Sequence, residues 1–288
     1  MELLFSCIAL ASIAVGFFSL GRILGTRFPL ASSLICAFSL IFGGLMCWVA
    51  GGDLRWALWS PGSVANQMSY SPALLVFCAA GALSVNQTVR AGSRRLLSGA
   101  LCVTVAGLFG AVLMRPYCRP ILLSQHSLWN GGVCLQSHES SCVPAAASNL
   151  LHMHGIDKGE RELADFARTS VDGTSPLGSF LAVSQAVEGT DLKAFIQLKR
   201  PAVNIGQHLP ILAHVRFDSS SESGLNQAGL FSRFLRGIRT RSEGHAVVIV
   251  ERCSAGWIVA DPAAGKVIWS NQHLAESWSG EGVYLCPK

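Results

Sequence analysis

The 288-residue chain predicts an α+β domain that follows an all-α membrane region of about four helices. Three observations carry that reading. Half of the residues are hydrophobic and only 14% are charged, a balance that points to membrane segments. The apolar residues gather in the first 115 positions, in runs near 3–20, 29–50, 71–85 and 96–114. Beyond them polar, Gly-rich and charged residues become regular, with helix-type stretches first and β-type stretches after, the order of an α+β domain.

Taken in order, the membrane elements begin with Leu3–Leu20, which carries no charge. It lacks a basic leading segment and further spans follow, so it reads as a span rather than a cleaved signal peptide. Pro29–Ala50 and Leu96–Met114 are of similar length, enough to cross a hydrocarbon core of roughly 30 Å as helices. Ser71–Val85 is shorter, and its extension backwards meets Asn66, Gln67 and Tyr70. Arginines set the orientation. The first loop holds Arg22 and Arg27 and the third holds Arg90, Arg94 and Arg95, whereas the second holds only Arg55 beside Asp53. Loops one and three are therefore expected in the cytoplasm, with both termini and the following domain outside it. Arg115 and Arg119 oppose that assignment mildly. The expected organisation is a membrane region over 1–115, a connector over 116–131 and a domain over 132–288. The net charge of +5 is spread over loops with no basic-aromatic platform, which argues against nucleic acid. The expected surroundings are the lipid bilayer and a possible separate membrane partner.

In the domain, "VPAAASNLLHMHG" has helical character, with Pro144 in the first turn and Gly155 to end it. "KGERELADFARTS" is a second helical stretch, and its Asp157, Glu160 and Glu162 read as a solvated face. "DGTSPLGSFLAVSQAVEG" reads as a turn and a third helix. "LPILAHVRF" and "HAVVIVERC" are β-type runs, "GWIVADPAAGKVIWS" reads as strand, turn and strand, and "GVYL" closes the chain as a strand.

Cys142, in "LQSHESSC", stands where the first of these helices begins. Free N–H groups and the positive end of a helix dipole favour a thiolate, the nucleophilic form of cysteine. A thiolate nucleophile needs a base, and the base needs an acceptor to orient it. His245 opens a β-type run, and Asp261 ends the next strand sixteen residues later, so neighbouring antiparallel strands would set the two side by side. Gln136, shortly before Cys142, can supply a side-chain N–H to an oxyanion, and the Cys142 backbone N–H can supply another.

The order Gln136–Cys142–His245–Asp261 resembles that of the bacteriocin-processing cysteine peptidases, the papain-like family that trims double-glycine leader peptides in peptide exporters. "LQSHESSCVPAAASNLLHMHGI", "DGTSPLGSFLAV", "LPILAHV", "GHAVVIVERCSAGWIVADPAAG" and "LAESWSGEGVYL" resemble that family's blocks in sequence order, over nearly all of 132–288. The resemblance implies a papain-like fold, peptide-bond hydrolysis of a peptide or protein substrate, and no cofactor or metal. It makes Cys142 the nucleophile, His245 the general base and acid, Asp261 the orienting acceptor and Gln136 the oxyanion donor. An amidase or a transpeptidase would use the same residues, and a degenerate domain that binds peptide without chemistry is the non-enzymatic alternative. Val143 and Ser141 stand where the family usually has glycine and often an acidic residue. No GxxxxGK[ST] phosphate loop occurs, so ATP binding and transport do not carry over.

His152 and His154, one residue apart, point in different directions on a helix and do not suit a shared metal. His214 reads as a packed or cleft-lining residue, and His126, His138, His208 and His273 as loop or surface residues. Gly229–Arg241 has the spacing of a basic amphipathic helix, suited to a membrane interface or a wall beside His245. Outside the spans stand five cysteines, and reserving Cys142 leaves Cys118, Cys134, Cys253 and Cys286. An even remainder suits disulfides in an oxidising compartment, expected as Cys253 with Cys286 and Cys118 with Cys134.

Overall fold

The apolar runs of the first part of the chain form four helices: α1 (Glu2–Arg27), α2 (Ser32–Ala50), α3 (Leu75–Val85) and α4 (Ala91–Cys118). The computed structural model describes residues 2–50, 53–58, 69, 71–198, 208–216 and 244–288. The stretch Gly229–Arg241 and the residues Asn66, Gln67 and Tyr70 lie outside the described residues. The chain divides into two compact units, Met1–Arg119 and Pro120–Lys288. Residues 116–131, expected as a connector, are shared between the end of α4 and a first strand, β1 (Leu128–Asn130).

Small residues decide how the first unit packs. α3 is its central helix, touched by α1, α2 and α4, and its Ala79, Ala80 and Ala82 are fully buried. A Cβ added to Gly21 of α1 would fall 2.0 Å from the Cys78 carbonyl oxygen, and one added to Gly81 of α3 would fall 2.1 Å from that of Phe18. The two backbones therefore touch at a crossing that admits no side chain, the small-residue packing that lets helices associate in lipid. Outward-facing positions carry Ile23, Leu34, Phe38, Ile41, Leu96 and Val103.

Among the described residues, two helical stretches are long and apolar enough to cross a membrane, Ile8–Arg27 and Pro29–Met46, each with a mean hydropathy of 1.8. The expectation of four spans is thus met only in part. Ser71–Val85 is helical throughout, a 3-10 turn leading into α3, but its rise of about 22 Å falls short of a core of roughly 30 Å.

The second unit starts with a hairpin, β1 against β2 (Val133–Leu135), closed by Gly131 and Gly132. Both glycines have positive φ, 56° and 77°, as a tight two-residue hairpin turn demands. Three helices follow: α5 (Cys142–Met153), α6 (Glu160–Ala167) and α7 (Pro176–Ala186). Then come β3 (Leu192–Gln197), β4 (Ile211–Arg216), β5 (Gly244–Cys253), β6 (Gly256–Asp261), β7 (Gly265–Trp269), a short α8 (Asn271–Ser277) and β8 (Trp278–Pro287). The six later strands form one antiparallel sheet in the order β3-β8-β4-β5-β6-β7. The class is α+β, helices and an antiparallel sheet, as expected. The hairpin and β3 are elements the sequence reading passed over.

The sheet has an apolar core built from Ile211, Ala213, Val215, Val247, Ile249, Val259, Trp257, Trp269, Trp278 and Leu274 of α8. Elsewhere α5 packs on β5 and reaches β4 and β6, while α6 and α7 pack on each other and on α5. Leu150, Leu151, Leu163, Leu177 and Leu181 are buried among these helices. The start of α5 and the start of β5 are held by this packing, and each carries a candidate residue.

Candidate active site

Cys142 is the first residue of α5, with Ser141 at the N-cap position. The Ser141 side chain does not cap the helix. It is fully buried and turned back on the loop, where Oγ donates to the His138 carbonyl at 2.7 Å and accepts the His138 N–H at 3.0 Å. No side-chain hydrogen bond therefore caps the α5 N-terminus, whose N–H groups point along the positive end of the helix. His138 Nδ1 accepts the Ser140 N–H at 3.1 Å, and Ser140 Oγ donates to the Val171 carbonyl at 2.6 Å. His138 thus shapes the loop rather than lying free on the surface. The Ser-rich approach to Cys142 is a folded turn fastened to a neighbouring segment.

His245 is the second residue of β5, opposite Val215 of β4, and Asp261 ends β6. The antiparallel register, Val248 opposite Ala260, sets their side chains together. His245 Nε2 donates to Asp261 Oδ1 at 2.7 Å, and the same oxygen accepts the Ala263 N–H at 2.8 Å. Burial alone would raise the Asp261 pKa. The hydrogen bond from His245, the Ala263 and Ala264 N–H groups and the charge on His245 outweigh it and hold the carboxyl below its ordinary value. Burial likewise pulls His245 down, but hydrogen bonds with Asp261 and with Cys142, and the charges on both, carry it up to about 9. The arrangement sets a thiol at a helix start near an imidazole that a carboxylate orients, the set of groups that thiol nucleophilic catalysis uses.

Gln136 follows β2, and its N–H donates to the Pro262 carbonyl at 2.9 Å, next to Asp261. Its side-chain Oε1 is buried and has no partner among the described residues. His245 is hydrogen-bonded to Asp261, Cys142 is near enough to act on the His245 ring, and Gln136 is tied by its backbone to the Asp-Pro turn. Val143 is 5% exposed, so its side chain fills the interior below the helix start.

Two residues that hold this region went unrecognised in the sequence. Asn149 of α5 accepts the Cys134 N–H at 2.6 Å and donates to the Cys134 carbonyl at 3.0 Å, acting as a strand partner for β2. Glu160 is corrected outright. It is not on a solvated face but 1% exposed, with Oε1 accepting the Ser137 N–H at 2.9 Å and Oε2 accepting from Ser137 Oγ at 2.7 Å. The signal was present: Glu160, Leu163, Ala164 and Ala167 are spaced as one helix face, and all four are buried.

The expected disulfides are not formed in this structure. Cys118, Cys134, Cys253 and Cys286 are free thiols. Strand β4 lies between β5 and β8, so the strands carrying Cys253 and Cys286 are two spacings apart, about 9.5 Å, beyond bridging range. Cys134 is fully buried beneath Asn149, whereas Cys118 is exposed. His214 is half-buried on β4 with Nε2 2.9 Å from Ser179 Oγ, and its removal from water pushes it down to about 4. His152 pairs with Asp157 at 2.9 Å, and His208 stacks on Tyr284. Among the described residues no three His, Cys, Asp or Glu side chains are grouped to hold a metal ion.

No family model matches the chain, and no curated protein matches it. Solved structures do. A double glycine motif protease from an AMS/PCAT transporter, in complex with the leader peptide, is 15% identical over 58% of this chain and 97% of its own, with a TM-score of 0.41. The peptidase domain of Streptococcus ComA, a bi-functional ABC transporter, is 17% identical over 54% of this chain and 96% of its own, with a TM-score of 0.39. The peptidase domain of Streptococcus mutans ComA is 15% identical over 54% and 97%, with a TM-score of 0.35. At these identities and scores they are similarities, and they assign no activity to this chain.

Proposed function

We propose that the chain is a membrane-anchored cysteine peptidase that cleaves peptide bonds through Cys142, His245 and Asp261, with Gln136 as oxyanion donor. One observation carries this reading: His245 is held by Asp261 at 2.7 Å and lies near enough to the Cys142 thiol for it to raise the ring's pKa. A histidine placed only for packing has no need of two ionisable partners, one of them a thiol at a helix start.

The Cys142 thiolate attacks the peptide carbonyl carbon, and the π electrons move onto oxygen. The resulting oxyanion is stabilised by the Cys142 N–H and the Gln136 side chain. As the C–N bond breaks, the His245 imidazolium gives its proton to the leaving amine, leaving a thioester on Cys142. His245, now neutral, takes a proton from water as it attacks the thioester. Collapse of the second oxyanion releases the acid and restores the thiolate–imidazolium pair. Asp261 keeps its charge throughout and holds the ring in register.

Two apolar helices near the N-terminus support anchoring in a membrane. The arginines of the first and third loops place the domain outside the cytoplasm only with Ser71–Val85 counted as a span.

The test is to treat the full-length protein with a thiol-reactive peptide electrophile and map the modified residue. Modification at Cys142, abolished in His245→Ala, is expected. Modification distributed over Cys118, Cys253 and Cys286 with Cys142 spared would refute the assignment. A membrane-impermeant maleimide applied to intact cells tests the orientation separately.

A further inference from the structure

We infer that Glu160 is a positioning residue for Gln136; this rests on the peptidase reading above. Oxyanion stabilisation depends on where the donor sits, and a misplacement of about 1 Å can cost on the order of 10²-fold in rate. Gln136 lies in a loop, which by itself would not supply that accuracy. The structure fixes the loop at three successive points. Two residues before Gln136, Asn149 binds both backbone groups of Cys134. At Gln136 the N–H is bound by the Pro262 carbonyl. One residue after, Glu160 takes both donors of Ser137, its N–H at 2.9 Å and its hydroxyl at 2.7 Å.

The third fastening is the unusual one. Burying a carboxylate is costly unless donors surround it. Glu160 is 1% exposed, yet its bonds go to Ser137, a residue at the surface. A carboxylate serving only α6 would sit in water at the helix N-terminus and gain the same dipole interaction without the desolvation cost. Its backbone N–H is held by Ser127 Oγ at 2.8 Å, so the segment before β1 and, through the carboxylate, the Gln136 loop are both fastened to this one residue at the start of α6. Its geometry makes sense as a clamp on the residue adjoining the oxyanion donor.

The experiment uses the full-length chain in detergent and two probes of the same sulfur. A tripeptide aldehyde ending in glycinal adds the Cys142 thiolate to its carbonyl carbon. The carbonyl oxygen then takes the electron pair and the proton of His245, so affinity reports the oxyanion donors. Iodoacetamide alkylates the same sulfur by displacing iodide and forms no oxyanion. Glu160→Ala is expected to weaken the aldehyde about tenfold or more, part of the 10²–10³ attributable to a whole donor. The iodoacetamide rate and its pH profile should stay within about twofold of wild type. In a Gln136→Ala background Glu160→Ala should add less than about twofold, because residues acting as a unit are non-additive. Glu160→Gln, which keeps an acceptor for the Ser137 N–H, should recover most of the affinity. Additive losses in the two backgrounds, or alkylation falling in step with aldehyde affinity, would overturn the inference while leaving the peptidase reading standing. If Glu160→Ala does not fold, Ser137→Ala takes its place under the same criterion: a loss that persists without Gln136 counts against the clamp. Wild-type protein whose Cys142 takes neither probe refutes the peptidase reading and this inference together.

Discussion

Replacing Asp261 by asparagine isolates the charge on the acceptor while keeping its shape. In the native chain His245 Nε2 lies 2.7 Å from Asp261 Oδ1, with the two side chains 14% and 10% exposed. His245 stands at about 9 against an ordinary value of 6.5, although burial pulls it down. That net elevation corresponds to roughly 3 kcal/mol favouring the imidazolium. Asparagine retains an oxygen for Nε2–H but forms a neutral-acceptor bond, weaker than the charge-assisted one by about 1–1.5 kcal/mol. His245 should therefore titrate about one unit lower, and burial then opposes its charge more effectively. The assay is NMR of the imidazole ring protons in histidine-labelled protein between pH 5 and 11. The chain has eight histidines, and His245→Gln identifies the resonance by its disappearance. An Asp261→Asn protein whose His245 still titrates near the wild-type value would refute the reasoning, as would a wild-type His245 titrating near 6.5.

The same shift has a sign for stability. The folded-state value of His245 lies above the unfolded one, so its contribution is complete below about 6.5 and is lost as pH rises through about 9. Asp261 is depressed, so its contribution is present above the ordinary carboxylate range and fades as pH falls through its lowered value. Both record one interaction and are not to be added. Asp261→Asn should flatten the alkaline loss of stability between pH 7 and 10, as read by thermal unfolding.

Other expectations are shorter. Cys142→Ala should abolish turnover while leaving the melting temperature nearly unchanged, because a thiol is small and only partly buried here. Gln136→Ala should lower peptide turnover by on the order of 10²–10³ with little change in iodoacetamide alkylation. Non-reducing peptide mapping of protein from its native membrane should recover Cys134, Cys253 and Cys286 as free thiols; a Cys253–Cys286 bridge would contradict the strand order. Gly81→Leu should disrupt the α1–α3 crossing, since even a Cβ would meet the Phe18 carbonyl at 2.1 Å, and limited proteolysis in membranes should show the change where Gly16→Leu, with open space around it, shows none.

What was legible in the sequence was what depends on local pattern. A polar turn, a cysteine and an alanine-rich run marked the start of α5, and the sixteen residues from His245 to Asp261 fit two strands and a tight connection. The β1–β2 hairpin was equally local, an Asn-Gly-Gly turn between short apolar runs, and was passed over because each strand has only three residues. Strand order is another matter. Nothing near Cys253 or Cys286 tells that β4 runs between their strands, since that is set by which surfaces pack. Glu160 was misread through residue type: a glutamate beside other charges looks solvated, although its spacing with Leu163, Ala164 and Ala167 places it inside.

Some of the buried polar groups of the second unit serve its candidate site, and they bear on how the domain reconciles stability with that site. Ser141, Ser148, Asn149, Glu160 and Asp261 are all buried, and all hold the segments that meet around Cys142. Each costs free energy unless bonded, and each finds a partner, so the cluster fixes geometry rather than adding much net stability. The opposite requirement falls to the cluster of Trp257, Trp269, Trp278, Leu274 and the aliphatic residues of β4, β5 and β6, where burial of large apolar surface supplies the driving force. β5 joins the two, since Val247 and Ile249 belong to the apolar core while His245 opens the same strand at the site. A strand anchored by its middle can present its first residues at a fixed height. Substitutions at Val247 or Ile249 should therefore reach His245 through strand position as well as through lost burial, whereas substitutions at Glu160 or Asn149 should displace the Gln136 loop with the sheet intact.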